Sequence, residues 1–394
     1  MLHRLFQMTT MSVLIGASCV AISNCAGATE ITTPAEYAYI TDFDTGKVLF
    51  QKNAEMQMKP ASMAKIMTVF IAFERIREGG LSLNDKFQVS EKAWRKGGSR
   101  SFLEVGSMVT VNDLLHGIVV QSGNDAAIVI AEGISGTEES FAEEMNFWAQ
   151  KLGMENTVFR NSTGWPDPEL TTTAKDLNIL SSALISRFPI DVYPDLYPMF
   201  KKKRFEYNGI DQPNRNPLVY GTVGADGLKT GHTKESGYGV VGSAIRDEQR
   251  VVMVLNGMTS MKQRSAESRR LMDLTFREFK KYRFFEANET VDVANVWLGK
   301  VPNVDLVIAQ PLHRVLSRDE RRHLKMSVNW IDPVSAPIIK GQKLAVLTIE
   351  GKSNSEKIDL LAANDVDELG VFERLGAALK YLIFGADAGT VVAN

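Results

Sequence analysis

Apolar positions in this chain recur in two rhythms, and the rhythm changes near residue 285. Before that point, helical spacing and two-residue alternation are interleaved, which predicts a mixed α/β (α+β) region. A hairpin is expected over 38–50, turning at Asp44, Thr45 and Gly46. Helices are expected over 61–78, 112–120, 125–134 and 140–152, the last with Phe141, Met145, Trp148 and Leu152 on one face. Thr173 followed by Asp176 has the form of a capping box and opens a helix to about 185. Strands follow over 227–231, 238–245 and 250–255, the last two joined by the polar turn 246–249. A long amphipathic helix over 262–282 closes the region.

Past the change of rhythm, short β-rich runs at 291–296, 304–308, 324–330 and 344–349 alternate with Gly, Pro and Asn turns, the pattern of a small all-β module. Residues 366–385 return to helical spacing. Phe372, Leu375, Ala378, Leu379, Leu382 and Ile383 share one face, and Glu373, Arg374 and Lys380 the other. The expected organisation is a mixed domain at 29–286, a β-rich domain at 290–362 and an amphipathic helix at 366–385.

The first residues stand apart. His3 and Arg4 precede a mostly apolar stretch over 8–22, and Ala26-Gly27-Ala28 supplies a small-x-small cleavage site. This is the form of a secretory signal peptide at 1–28, and the apolar run is short for a bilayer span. Both cysteines, Cys19 and Cys25, fall inside it. A chain cleaved after Ala28 therefore has no disulfide, no thiol nucleophile and no cysteine metal site. Lipid modification of Cys25 is disfavoured by the bulk of Asn24 before it. Charge is balanced, 45 Lys and Arg against 47 Asp and Glu, which argues against a nucleic-acid partner. The sequence holds no His-Glu-x-x-His cluster, so a zinc peptidase is disfavoured. The expectation is an exported protein whose membrane attachment, if any, is peripheral.

Three short motifs carry candidate chemistry. Ser62 and Lys65 lie three residues apart near a helix start, so both side chains leave the same face. That face continues through Ile66, Val69 and Phe73. Apolar burial disfavours the lysine's charged form, and a partly neutral lysine can take the serine proton. Ser122-Gly123-Asn124 falls in the break between two apolar helical segments. Its hydroxyl can relay a proton, and its amide can hold a substrate backbone carbonyl. Lys229-Thr230-Gly231 ends a strand whose edge can pair with an extended peptide. Lys229 and Thr230 can bind a carboxylate, and Gly231 lets backbones come close. The backbone N–H of His232, with that of Ser62, would form an oxyanion hole. Taken singly, the motifs also read as a helix cap, a turn and a solvated strand end. Ser82-Leu83-Asn84 and Ser327-Val328-Asn329 fit the second pattern too, but only 122–124 lies in the expected order. His116, mid-helix among apolar residues, reads as structural.

The ordered set resembles the Ser-x-x-Lys, Ser-x-Asn, Lys-Thr-Gly triplet of penicillin-binding proteins and class A β-lactamases. The longer segments 60–68, 121–126 and 226–233 resemble the low-molecular-mass penicillin-binding D-alanyl-D-alanine carboxypeptidases, and the likeness runs over about residues 36–385. The resemblance implies a penicillin-binding/β-lactamase-like catalytic domain, a β-sandwich-like second domain, and a last helix on the outer face of the cytoplasmic membrane, in the periplasm. It implies that Ser62 attacks the carbonyl between two D-alanines of a peptidoglycan stem peptide, and that water then hydrolyses the acyl-enzyme. β-Lactams would acylate the same serine, and no metal or cofactor would take part. Asn214-Arg215-Asn216 resembles a family segment whose arginine lies near the substrate carboxylate, which makes Arg215 a binding candidate. Three rival readings share these residues. A β-lactamase would need a deacylating glutamate, for which Glu169 is the placed candidate. A DD-endopeptidase would use the same site, and a wall scaffold would have kept the fold without the activity.

Overall fold

The computed structural model describes residues 31–352 and 354–376. The leader expected at 1–28, and the part of the last expected helix beyond 376, lie outside the described residues. The frame is an antiparallel sheet of five strands: β1 (Tyr37–Asp42), β2 (Val48–Lys52), β3 (Ala225–Thr233), β4 (Gly237–Arg246) and β5 (Gln249–Met258). Its order is β2-β1-β5-β4-β3, which leaves β3 as an edge strand. Both faces are covered. Val252 and Val254 on β5 join the main helical core, and the alternate residues Val251, Met253 and Leu255 are buried as well. Double burial is why this strand reads as an unbroken apolar run and not as an alternation.

The longer helices of this unit are α1 (Lys65–Arg77), α2 (Val111–His116), α3 (Asn124–Ser135), α4 (Glu138–Leu152), α5 (Ala174–Arg187) and α6 (Met261–Glu278). Every residue of α1 from Lys65 to Glu74 is buried, so it is an interior helix and not a surface one. Phe70 meets Trp148 edge-on with ring centroids 5.2 Å apart, and Phe73 meets Phe188 at the same distance. Each such buried aromatic contributes roughly 2–3 kcal/mol by removal from water. This fixes α1, and with it the residues at its N-terminus.

Several expected elements take a different form. The helix expected from 61 begins as a 3-10 turn, Ala61–Ala64, with Ala61 at φ 47°. The helix expected over 112–120 is α2 followed by a π turn, Gly117–Gln121, which ends with Ser122 in the left-handed region at φ 67°. The capping box at Thr173 is half made. The Thr173 side chain accepts from Asp176 N at 3.0 Å, but the Asp176 carboxylate accepts from Asn156 N and the Thr157 hydroxyl instead. The long helix expected to 282 stops at Glu278, and Phe279–Phe285 is a strand, β6. Phe279 and Tyr282 continue the helical spacing by sequence, but pairing with Leu312–Ser317 satisfies their backbone in extended form.

The further strands of the β-rich unit are β7 (Thr290–Trp297), β8 (Asn303–Ile308), β9 (Leu312–Ser317), β10 (Lys325–Trp330), β11 (Val334–Ser335), β12 (Lys343–Glu350) and β13 (Ser355–Ala362). They form a six-stranded sheet, β10-β12-β13-β8-β7-β11, and the two-stranded pair β6-β9. Ala294, Leu306, Leu312, Leu347 and Leu360 share one separate core, with Phe284 and Phe285 packed against it. Four of these strands match the runs expected from sequence, and β6, β9, β11 and β13 do not appear among them. Lys47, in the hairpin turn of the first unit, donates to Glu320 at 2.7 Å and to the Val315 carbonyl at 2.8 Å, tying the two parts together. Among the described residues no helix is long and apolar enough to cross a membrane.

Candidate active site

The three sequence motifs meet at one place. Ser62 sits on the 3-10 turn before α1 and is half-buried between the buried Ala61 and Met63. Edge strand β3 packs directly against that turn. A Cβ on Gly231 would lie 2.9 Å from the Pro60 carbonyl and 3.2 Å from the Ala61 Cβ, so only glycine permits this approach. From the other side, Gly164, at φ 75°, lies under the same turn, and a Cβ there would overlap the Ala61 carbonyl.

Lys65 is fully buried. Its Nζ lies 3.0 Å from Ser62 Oγ, 2.8 Å from Asn124 Oδ1 and 2.6 Å from the Thr163 carbonyl oxygen. Burial, with a smaller push from the Arg215 guanidinium, brings its pKa down to about 7. The neutral amine has two hydrogens and one lone pair. Asn124 Oδ1 and Thr163 O can only accept, so both hydrogens go to them and the lone pair is left facing the Ser62 hydroxyl. The orientation of the Asn124 amide is fixed by a second bond, from Nδ2 to the Gly97 carbonyl at 2.8 Å. The two carboxylates acting on Lys65 are Asp125 and Glu138. Asp125 accepts from Ser101 N at 2.8 Å and from Ala126 N at 2.9 Å.

Ser122 Oγ is buried and has no hydrogen-bond partner among the described residues, and its residue holds a left-handed backbone. A buried orphan hydroxyl costs about 1–3 kcal/mol. Together with the left-handed φ it marks strain stored at a site that works on something.

Lys229 is buried on β3, and among the described residues its Nζ reaches only the Thr230 carbonyl, at 3.1 Å. Burial, then Lys65, Arg215 and Arg264, holds its pKa well below the usual lysine range. Arg215 donates to Ser99 Oγ at 2.5 Å, and its backbone N–H bonds the Val120 carbonyl, which seats it beside the Ser122 turn. Arg264, on α6, is buried, and its Nε has no hydrogen-bond partner among the described residues. Its pKa is lowered to about 10, chiefly by burial. Among the described residues none of Lys229, Arg215 and Arg264 has a carboxylate partner. Two guanidiniums and a buried lysine without acids beside them are the kind of basic cluster that suits an anion.

The exposed His232 ring lies against Tyr238, its cross-strand neighbour, at 3.8 Å between centroids. Burial and Arg264 lower its pKa. The ring is thus held by Tyr238, in keeping with a positioning place and not with a base for Ser62. His116 is buried and stacks on Phe205 at 5.2 Å. Glu169 is exposed and paired with Arg160 at 2.8 Å, outside the Lys65 cluster. Sequence reasoning missed Thr163, Gly164, Ser99, Glu138 and Arg264. For Gly164, the Asn161-to-Gly164 loop was a weak signal, since small polar residues and glycine mark tight backbone. For Arg264, on an amphipathic helix, there was none.

A family model for D-alanyl-D-alanine carboxypeptidase matches residues 24–259. The chain belongs to this family. A second model, the C-terminal domain of penicillin-binding protein 5, matches residues 279–368 of the carboxypeptidase-family chain. The chain is 34% identical over 322 residues to D-alanyl-D-alanine carboxypeptidase DacF of Bacillus subtilis, covering 82% of each protein. It is 35% identical over 347 residues to D-alanyl-D-alanine carboxypeptidase DacC of Escherichia coli, covering 85% of each. Its structure is similar to that of penicillin binding protein 5 from Haemophilus influenzae, with TM-score 0.70, 30% identity, and 87% of this chain and 100% of that one covered. It is also similar to the ampicillin-bound form of Penicillin-Binding Protein D2 from Listeria monocytogenes, with TM-score 0.57, 29% identity, and 63% and 100% coverage. In this carboxypeptidase-family chain the β-rich unit begins at Phe279, one strand before the expected start at 290.

Proposed function

We propose that this protein is a serine D-Ala-D-Ala carboxypeptidase with Ser62 as nucleophile, Lys65 as its general base and Ser122 as proton relay. One juxtaposition carries the reading: the Ser62 hydroxyl faces the Lys65 lone pair at 3.0 Å, beside a cluster of basic groups with no carboxylate partner among the described residues. Such a cluster suits a substrate ending in a free carboxylate.

Lys65 takes the Ser62 proton as Oγ attacks the carbonyl between the two D-alanines. The N–H groups of Ser62 and His232 receive the developing oxyanion. Asn124 Nδ2 keeps one hydrogen beyond its bond to Gly97, and that hydrogen holds a backbone carbonyl of the stem peptide. Thr230, Lys229, Arg215 and Arg264 hold the terminal carboxylate, and Gly231 allows the peptide to lie along β3 as an added strand. The proton passes through Ser122 to the departing D-alanine amine. Water then attacks the acyl-enzyme, returning Ser62 and releasing the shortened peptide. A β-lactam carries a reactive amide and a carboxylate in the same relation, and acylates Ser62 in the same way. The β-lactamase reading loses its support with Glu169 held at the surface by Arg160.

The protein is exported by its leader to the periplasm and lies peripherally on the membrane. Residues 371–376 are helical, and Val371, Phe372 and Leu375 in them are 62%, 92% and 70% exposed, an apolar face with no cover from the β-rich unit.

Incubation of the mature protein with a stem pentapeptide is expected to release one D-alanine, seen by mass spectrometry, and pretreatment with penicillin to stop it. Intact pentapeptide after prolonged incubation would sink the reading, and rapid penicillin turnover would restore the β-lactamase. Arg264→Gln is expected to raise KM for the pentapeptide at least about tenfold with kcat little changed, because it removes a charged hydrogen bond to the carboxylate. An unchanged KM would take Arg264 out of the binding set.

A further inference from the structure

Of the three groups around the Lys65 amine, Ser62 and Asn124 come from the motifs and the Thr163 carbonyl comes from a loop. That loop is clamped from behind. Glu138, at the first turn of α4 and 6% exposed, accepts from Ser162 N at 3.2 Å and from Ser162 Oγ at 2.8 Å. Its other oxygen pairs with Lys92 at 3.1 Å. From the opposite side, the Thr68 hydroxyl of α1 donates to the Ser162 carbonyl at 2.6 Å. Ser162, the residue before Thr163, is therefore held at its N–H, at its carbonyl and through its side chain.

We propose that Glu138 is a positioning residue for acyl transfer: its carboxylate, pinned by Lys92, sets the Ser162–Thr163 turn so that the Thr163 carbonyl holds the Lys65 amine against Ser62 Oγ. The inference rests on the reading of Ser62 and Lys65 as nucleophile and base. If the Thr163 carbonyl rotated away, the amine would lose one of its two obligate acceptors. The lone pair would then no longer be confined to the serine. Misplacement of a catalytic group by about 1 Å costs on the order of 10²-fold in rate.

Glu138 also acts by charge. Asp125 and Glu138 raise the Lys65 pKa, while Arg215 and Lys96 lower it, and Lys229 is a further cation coupled to Lys65. Removing the Glu138 charge while keeping its hydrogen bonds from Ser162, at the cost of the Lys92 contact, therefore lowers the Lys65 pKa. More of the amine is then neutral below pH 7, and the acid limb of the rate profile moves to lower pH.

The test compares wild type, Ser62→Ala, Glu138→Ala and Glu138→Gln. It measures acylation by a fluorescent penicillin and pentapeptide hydrolysis across pH 5.5–9 (roughly the span of the lysine and histidine titrations), with near-UV circular dichroism to check the fold. Glu138→Ala is expected to acylate about tenfold or more slowly, with KM within about twofold. Glu138→Gln, whose side-chain carbonyl still accepts from Ser162, is expected to recover most of the rate and to shift the acid limb downward. Glu138→Ala with the wild-type rate and pH profile would overturn the inference. So would Glu138→Gln as slow as Glu138→Ala with an unmoved limb, since that is the mark of packing alone. Wild type no more acylated than Ser62→Ala would instead bring down the nucleophile assignment, and this inference with it.

Discussion

Lys65→Met is expected to slow acylation of Ser62 by penicillin about 10³-fold or more, and Ser62→Ala to abolish it. Methionine has nearly the same length and suits the apolar surroundings, so the helix that carries it should stay in place. What is lost is the group proposed to take the serine proton. The Asn124 and Thr163 oxygens would face a thioether that cannot donate. Wild type should show a rate that falls as pH drops through about 7, where the buried amine becomes protonated and its lone pair disappears. The variant's residual rate should lack that limb. Intact-mass measurement of the penicilloyl adduct against time, at several pH values, checks both statements. A Lys65→Met protein acylated within tenfold of wild type would remove Lys65 as base, and Ser122 would become the next candidate.

Gly164→Ala is expected to destabilise the protein by about 3 kcal/mol and to remove penicillin labelling. The glycine has φ 75°, where a Cβ is itself unfavourable, and that Cβ would overlap the Ala61 carbonyl. The displaced carbonyl belongs to the residue before Ser62, itself already held at φ 47°. Relief of the overlap must move either that turn or the 161–164 loop, and both meet at the Lys65 amine. Gly136→Ala is the control. It has φ 80° and open space around its Cβ position, so it should cost only about 1 kcal/mol and leave labelling intact. Thermal melts and penicillin labelling of the two variants read the difference. If Gly164→Ala behaved like Gly136→Ala, the close packing of loop 161–164 on the nucleophile turn would not be what holds the site.

Most of the helices and sheet strands of the first unit were legible because their burial follows the helical or two-residue period. Phe141, Met145 and Trp148 on α4 are buried as their spacing requires. The turn residues of the site were harder. A 3-10 start at Ala61 and a π turn before Ser122 are departures from the regular helix that the flanking apolar pattern hides, since the same residues stay buried in either form. The helix read through to 282 failed for a related reason. Phe279 and Tyr282 suit a helix face as well as a strand, and only the partner strand 312–317 decides between them.

By itself the sequence determined that a serine and a lysine three residues apart would project to one side at a helix start, that two further polar motifs would punctuate the mixed region, and that a β-rich unit would follow. These are local properties, set by spacing and burial within a few turns of chain. The tertiary structure alone decided that the lysine's lone pair faces the serine, because the Thr163 carbonyl that takes one of its hydrogens lies 98 residues away. It alone placed Arg264 with Arg215 and Lys229, and Glu138 behind the Ser162–Thr163 turn. Long-range placement of this kind leaves no periodic trace, since a single buried polar contact constrains one residue and not a pattern of residues.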